Sequence, residues 1–384
     1  MKKILIAILS ILILTCSFGL IACGSEEQAP HTHDYSLLKY NETQHWYECS
    51  CEEKSGEENH FGGTATTTEK AKCSVCDIEY GELEKQPTEG LVFGLINDNT
   101  EYEVTTYTGD STEVYISSTY NGKPVTSIGH AAFSNCKSIT SVELPDSIKR
   151  INNSAFNYCQ SLANIEIPDG VEFIGEYAFF WCTPLTKIEI PDSVEFICEN
   201  AFFNCSNLQY NVEGNLKYLG NSNNPYLYLA GTTSNKVSSA TINANCKIIG
   251  SRAFYECSLL TSVELPNSVI SIGEVSFFFC TSLKSITIPN GVKYLGYSAF
   301  YNCNSLSSVK LSNSLEHIGE HAFYGCTSLT SIVIPESVQS IREGVFTYCT
   351  KLKTINCEIN KKPSGWFEDW LSNCSAEVVW GYKG

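Results

Sequence analysis

The stretch IGEHAFYGCTSLTSIVIPESVQS, residues 318–340, is one 23-residue unit of a repeat that occupies most of the chain. A phenylalanine followed three residues later by a cysteine marks each unit. The nine phenylalanines are Phe133, Phe156, Phe179, Phe202, Phe254, Phe277, Phe300, Phe323 and Phe346. Because a fixed period of about 20–50 residues is typical of stacked repeats, each unit is predicted to form one coil of a solenoid.

The second half of each unit reads Leu-x-x-Ile-x-Ile-Pro, as in Leu329 to Pro335. Its apolar residues alternate at the end, which predicts a short strand that proline terminates. The Ala-Phe-x-x-Cys segment has little β-branching and is interpreted as a short helical turn. The sequence therefore predicts an α/β repeat, a leucine-rich-repeat solenoid with parallel strands and short helical turns, preceded by a small zinc-finger-like module.

The cysteines of the repeat lie at one position of every coil, from Cys136 to Cys349. Repeated positions along a ladder point in the same direction, so each inner cysteine has the same neighbours above and below. We interpret them as small buried thiols that fill one layer of the core, rather than as disulfides or metal ligands.

The repeat also shows where the regular coils, the irregular segment and the two caps of the solenoid lie. Its coils span residues 128–357, but Cys205 and Cys257 are 52 residues apart, two periods plus six. Residues 206–247 are therefore predicted to be degenerate coils with a protruding hairpin. Residues 87–127 are predicted to form an N-terminal strand cap. Residues 358–384, which contain three tryptophans, are predicted to form the C-terminal cap that a solenoid needs.

On these units the chain resembles the BspA-like leucine-rich-repeat family of bacterial surface proteins, from about residue 91 to residue 357. The departures are local. Asn152, Cys198 and Arg342 replace the turn glycine of the Ile-Gly pair that precedes the repeat phenylalanine, and Ser312 replaces the proline. The resemblance implies attachment to the cell surface and a role in adhesion or in contact with a host or matrix.

The N-terminus has the features of an export signal. Two lysines precede an apolar run from Ile4 to Ala22, and Leu20-Ile21-Ala22-Cys23 resembles the bacterial lipobox. We expect residues 1–22 to be a signal peptide, Cys23 to carry the lipid, and residues 23–30 to be a tether. The mature protein is thus predicted to lie at the bacterial cell surface, lipid-anchored to the outer face of the membrane.

Residues 31–86 form a separate module that is rich in cysteine and histidine. The candidate metal ligands are Cys49, Cys51, His60, Cys73 and Cys76. The Cys-x-x-Cys spacing lets two thiolates of one turn reach one metal, which favours structural zinc. Two disulfides among the four cysteines are the alternative, because an exported chain meets oxidising conditions.

The module also resembles short cysteine- and histidine-rich units that precede repeats in bacterial surface proteins. The matching segments are residues 45–51, 62–66 and 73–76. Thr67, Glu52 and Asp77 depart from the pattern of a further cysteine and two glycines in those units.

Composition and motifs exclude several functions. The net charge of −17 repels nucleic acid and anionic membranes. No phosphate-binding glycine loop, nucleophile elbow or helical His-Glu-x-x-His motif occurs, so we expect a binding protein and not an enzyme. A membrane is expected to be contacted through the lipid anchor only.

Two surfaces are candidates for binding; the alternative is that the aromatics pack on the turn of the next coil and that the acids are only solvated. One residue per coil on one strand face is acidic in the first coils, and the residue after the repeat phenylalanine is aromatic. The acids are Glu143, Glu166, Glu189 and Glu264, and the aromatics are Phe180, Phe203, Tyr255, Phe278, Tyr301 and Tyr324. We expect an extracellular protein partner. The alternative is a carbohydrate- or cell-wall-binding module whose aromatic rings stack on sugars; exposed ring faces would favour glycan and buried rings would favour protein.

Overall fold

The computed structural model describes residues 34–49, 52–63, 65, 69–80 and 85–384. The chain divides into two compact units, residues 1–85 and residues 86–384. Within the described ranges, no helix has the length and apolar character needed to cross a membrane. The predicted signal peptide, Cys23 and the tether lie outside the described residues.

The first unit contains two small antiparallel sheets, and we call it the module. β1, β2 and β3 form one sheet in that order, and β4 pairs with β5. The strands are β1 (Leu37–Tyr40), β2 (Gln44–Glu48), β3 (Lys54–Asn59), β4 (Ala71–Lys72) and β5 (Glu79–Tyr80).

The second unit begins with strands that cover the end of the solenoid. β6 and β7 are antiparallel, and β10 then pairs parallel with β7 and with the first coil. These strands are β6 (Leu91–Ile96), β7 (Glu101–Tyr107), β8 (Glu113–Tyr115), β9 (Thr119–Tyr120) and β10 (Lys123–Ile128).

The coils stack as parallel strands in two sets. The strands that precede the glycine position are β12 (Arg150–Ile151), β14 (Phe173–Ile174), β15 (Phe196–Ile197), β20 (Ile248–Ile249), β22 (Ser271–Ile272), β24 (Tyr294–Leu295), β26 (His317–Ile318) and β28 (Ser340–Ile341). The strands of the Ile-x-Ile-Pro segments and their continuation are β11 (Ser141–Glu143), β13 (Asn164–Ile165), β19 (Ser239–Thr241), β21 (Ser262–Glu264), β23 (Ser285–Thr287), β25 (Ser308–Lys310), β27 (Ser331–Ile334), β29 (Thr354–Cys357) and β30 (Glu377–Trp380). The register advances by one repeat, so that Ile151 pairs with Ile174 and Ile249 with Ile272.

An irregular segment separates the coils into two blocks. β16 (Asn211–Glu213), β17 (Leu216–Leu219) and β18 (Tyr228–Thr232) form an antiparallel sheet, and β18 pairs parallel with β20. The first sheet ends at β15, and a second, eight-stranded sheet starts at β16. Asn211 and Glu213 are exposed where regular coils place buried isoleucines, and this loss of apolar residues is why the coil pattern lapses here.

The helical turn predicted for Ala-Phe-x-x-Cys is wrong. In the residues that the structure describes, the one helix is a 3-10 turn at Glu368–Leu371. Each coil instead holds two left-handed residues, two positions before and two after the phenylalanine; in the third coil they are Tyr177 at φ 56° and Trp181 at φ 60°. Such angles interrupt a right-handed helix. The amide of the repeat phenylalanine donates to the next coil, as from Phe300 N–H to the Ala322 carbonyl at 2.8 Å.

The core is a column of stacked phenylalanine rings with a column of thiols beside it. Within each block, successive ring centroids lie 5.0–5.7 Å apart, and most of these rings are fully buried. The thiols do more than fill space. Cys303 Sγ–H donates to the Phe277 carbonyl of the preceding coil at 3.2 Å, and six other repeat cysteines do the same.

Candidate functional site

The predicted aromatic surface is a second set of stacked rings. Tyr255 stacks on Phe278 at 5.1 Å, Phe278 on Tyr301 at 4.9 Å, and Tyr301 on Tyr324 at 4.3 Å. In the first block Phe180 stacks on Phe203 at 5.7 Å. These rings are half-buried except Phe203, which is exposed. Each inner ring therefore has both faces covered by neighbouring rings, and it offers its edge to solvent.

Of the predicted acidic residues, Glu143 lies on β11, Glu264 lies on β21, and Glu166 directly follows β13. Glu189 lies in the coil between β14 and β15. Glu143, Glu166 and Glu264 are exposed, and the half-exposed Glu189 forms an ion pair with Lys187 at 2.7 Å. In the first block, Asp146 and Asp169 join Glu143 and Glu166 around an open cavity of about 480 Å³. In the second block Glu264 occupies this position first, and Thr287 and Lys310 occupy it in the two coils that follow. The acidic face therefore ends within the second block.

A cleft at the boundary of the two blocks was not predicted from the sequence. It encloses about 400 Å³ between the end of the first sheet and strands β22 to β28 of the second. Phe196 contacts Tyr294 edge to face at 5.1 Å, and Tyr294 stacks on His317 at 4.6 Å. The irregular segment brings these residues together, and no local motif identifies such a long-range contact.

Carboxyl groups lie at one side of this cleft. Partial burial, with Glu199 and Glu176 nearby, raises the pKa of Glu274 from 4.5 to about 7. Glu199 also pairs with Arg252 at 3.7 Å. The buried Ser251 hydroxyl lines the cleft and has no hydrogen-bond partner among the described residues. The lining of the cleft is mainly apolar and aromatic, and Glu274 and Arg342 are its charged residues of opposite sign.

The module brings together three of the predicted metal ligands and a histidine that the sequence analysis did not select. His45, His60, Cys73 and Cys76 offer ligand atoms within 4.8 Å of one another. Cys49 is buried but does not belong to this group. Cys51 lies outside the described residues. His45 could have been found from the hairpin alone, because β2 and β3 pair His45 with Glu58, which makes residues 45 and 60 diagonal neighbours on one face.

The repeat thiols have the properties of structural groups. Burial raises the pKa of Cys205 and of Cys349 to about 12, and it also raises the pKa of Cys303 and Cys326 well above the ordinary value. A thiol must lose its proton to act as a nucleophile or as a metal ligand. These four thiols are therefore kept in their protonated form, in which they donate hydrogen bonds.

The parallel stacking of 23-residue coils, with isoleucines and leucines in register, defines a leucine-rich-repeat protein. Residues 112–225 and 233–374 match the BspA type Leucine rich repeat region in six copies. The chain belongs to this family. No curated protein matches it.

Solved structures of similar bacterial proteins are known. A leucine rich cell surface protein from Faecalibacterium prausnitzii A2-165 is 24% identical with a TM-score of 0.33, and the match covers 78% of this chain and 95% of that one. A leucine-rich repeat protein from Bacteroides ovatus ATCC 8483 is 28% identical with a TM-score of 0.33, covering 74% and 90%. The leucine rich repeat protein of T. pallidum is 27% identical with a TM-score of 0.29, covering 64% and 91%.

Proposed function

We propose that this chain is a lipid-anchored protein of the bacterial cell surface whose solenoid binds a protein partner in adhesion or in contact with a host or matrix. The choice of a protein partner rests on the stacking of the aromatic rings that directly follow the repeat phenylalanines. A sugar ring binds by lying on a free aromatic face, whereas the inner rings at Phe278 and Tyr301 have both faces covered. Ring edges combined with exposed charge suit a protein surface better.

The charge distribution supports a partner with a basic surface. Glu166 and Glu264 are exposed on the strand face, and the chain as a whole carries −17. Complementary potentials accelerate encounter and fix orientation, while exposed pairs add little affinity each. Binding through this face should therefore weaken as the salt concentration rises.

The binding test uses the purified chain on an array of matrix proteins and on a glycan array in parallel. The variant Glu166→Gln/Glu264→Gln removes two charges from the strand face. Its matched control, Glu195→Gln/Glu256→Gln, removes two exposed charges elsewhere. We expect a matrix protein to bind, and we expect the first pair to weaken binding by about 2-fold to 30-fold, since two exposed charge contacts are each worth about 0.2–1 kcal/mol.

Two results would contradict this proposal. Equal loss with both pairs of substitutions would mean that net charge alone attracts the partner. Glycan binding without protein binding would favour the carbohydrate alternative, for which exposed rings such as Phe203, Phe279 and Tyr348 offer stacking surfaces.

The lipid anchor has its own test, motivated by the lipobox at Cys23. Cys23→Ala should leave the precursor without lipid, so that the protein is released or stalls during export. Membrane fractionation of cells that express the two forms measures this. A variant that stayed anchored as the parent does would exclude lipidation at Cys23.

A further inference from the structure

We propose that the module holds one zinc ion through His45, His60, Cys73 and Cys76. This set keeps the two thiolates of the Cys-x-x-Cys turn, and it takes both remaining ligands from histidines of the β2–β3 hairpin. His45 lies on β2 and His60 directly follows β3, while Cys73 follows β4 and Cys76 precedes β5. One ion would therefore join the two small sheets of the module.

The distances within the group match a tetrahedral site. Cys73 Sγ lies 3.6 Å from His45 Nδ1, and Cys76 Sγ lies 3.4 Å from His60 Nδ1. Zinc bonds of about 2.3 Å to sulfur and 2.0–2.1 Å to nitrogen give a tetrahedron whose nitrogen–sulfur edge is about 3.5 Å. Both measured distances agree with that edge, and two sulfurs with two nitrogens in a tetrahedron favour zinc over harder cations.

The surroundings orient two of the ligands. His60 Nε2–H donates to the Asn41 carbonyl at 2.8 Å, which leaves the lone pair on Nδ1 directed at the group. A second ring nitrogen bonded to a carbonyl is the usual arrangement for a histidine that binds metal. The Val75 amide donates to Cys73 Sγ at 3.5 Å, as suits an anionic sulfur.

The burial pattern gives an independent reason for a metal. Among the described residues of the module, the buried side chains are His45, Cys49, His60, Ala71 and Cys73. Only Ala71 is a purely hydrocarbon side chain. A domain of this size without an apolar core needs a metal or disulfides to fold, and here the buried groups are mainly metal-ligand types.

The experiment measures zinc in the purified full chain by elemental analysis and replaces zinc with cobalt for spectroscopy. We expect about one zinc per chain and a cobalt charge-transfer band with the intensity of two thiolates. His45→Ala should weaken metal binding by more than about 100-fold, because even the loss of a residue that only hydrogen-bonds to a metal ligand costs about 10–100-fold. Cys49→Ser is the matched control and should bind zinc as the parent does.

A second variant, His45→Cys, shows whether His45→Ala loses zinc through loss of a ligand or through misfolding. His45→Cys should retain zinc and add the signature of a third thiolate to the cobalt spectrum. The proposal is overturned if the chain carries no zinc and its mass shows disulfides among the module cysteines. It is also overturned if Cys49→Ser loses zinc while His45→Ala retains it, since the ligand set would then be the cysteine-rich one.

Discussion

The solenoid and the module bury different kinds of side chains. Each regular coil of the solenoid contains a phenylalanine, a set of leucines or isoleucines and a thiol, and it repeats the contacts of the regular coil before it. The described part of the module buries two histidines and two cysteines but one alanine. Cysteine therefore has two roles in one chain, as a protonated core residue in the solenoid and as the proposed thiolate ligand in the module.

Thiol labelling should give the largest difference between the module and the solenoid, because cysteines of one region should react almost completely and those of the other hardly at all. Adding a chelator to the folded chain should expose Cys73 and Cys76 to an alkylating reagent, since metal removal unfolds small metal-dependent domains. The buried repeat cysteines, such as Cys303 and Cys326, should react only after denaturant is added. Mass spectrometry of the labelled peptides measures both, and labelling of Cys303 or Cys326 under chelator alone would refute the distinction.

The next largest effect is expected from the phenylalanine column. Phe300 is fully buried and stacks on Phe277 and Phe323, so Phe300→Ala should destabilise the solenoid by about 3–5 kcal/mol. The adjacent Tyr301 is half-buried, and Tyr301→Ala should cost about 1–2 kcal/mol as ring stacking and partial burial are lost. Denaturant unfolding of both variants tests this. Equal large losses would show that the two aromatic columns belong to one core.

The thiol hydrogen bonds should give a smaller effect. Cys303→Ala removes the donor to the Phe277 carbonyl and should cost about 1–3 kcal/mol. Cys303→Ser keeps a donor in a smaller side chain. If the hydrogen bond matters, serine should be no worse than alanine in denaturant unfolding; if the sulfur acts only as an apolar filler, the buried hydroxyl of serine should be clearly worse.

The smallest effect concerns the cleft. The folded pKa of Glu274, about 7, exceeds its ordinary value of 4.5, so the folded state holds the proton longer than the unfolded state. Its contribution to stability therefore declines as the pH rises from about 4.5 to about 7. Glu274→Gln should raise the denaturant midpoint at pH 8 and leave it nearly unchanged at pH 4.5. Glu195→Gln is the exposed control, and a pH-independent shift for Glu274→Gln would contradict the raised pKa.

The coil period, the strands and the buried phenylalanine and cysteine columns could be predicted from the sequence, because each repeats nine times and follows from apolar periodicity. The left-handed residues could not. Residues as different as Ala131, Tyr177, Arg252 and Val275 occupy one such position, because hydrogen bonds to the next coil set the backbone there and not the side chain. The sequence of this segment has no helix-breaking pattern, and the left-handed turn therefore could not be predicted from it.

The candidate sites were predictable to different degrees. Cys73 and Cys76 were found from their spacing, whereas His45 required the strand pairing of the hairpin. The cleft around Tyr294 depends on how the irregular segment joins the two blocks, which places Phe196 against a coil 98 residues later. Sequence patterns describe neighbours along one coil or between equivalent coils, and this contact is of neither kind.

The thiol ladder has a consequence for how such a chain matures. A sulfur donates a hydrogen bond only while it carries its proton, so oxidation of Cys303 or Cys326 would delete a bond and obstruct the stacking of a coil. For a protein exported unfolded, as its N-terminus predicts, coil stacking and thiol oxidation are then competing reactions. Solenoids propagate from coil to coil, so each completed coil shelters the thiol of its neighbour. The vulnerable interval is the time between emergence from the membrane and closure of the last coil.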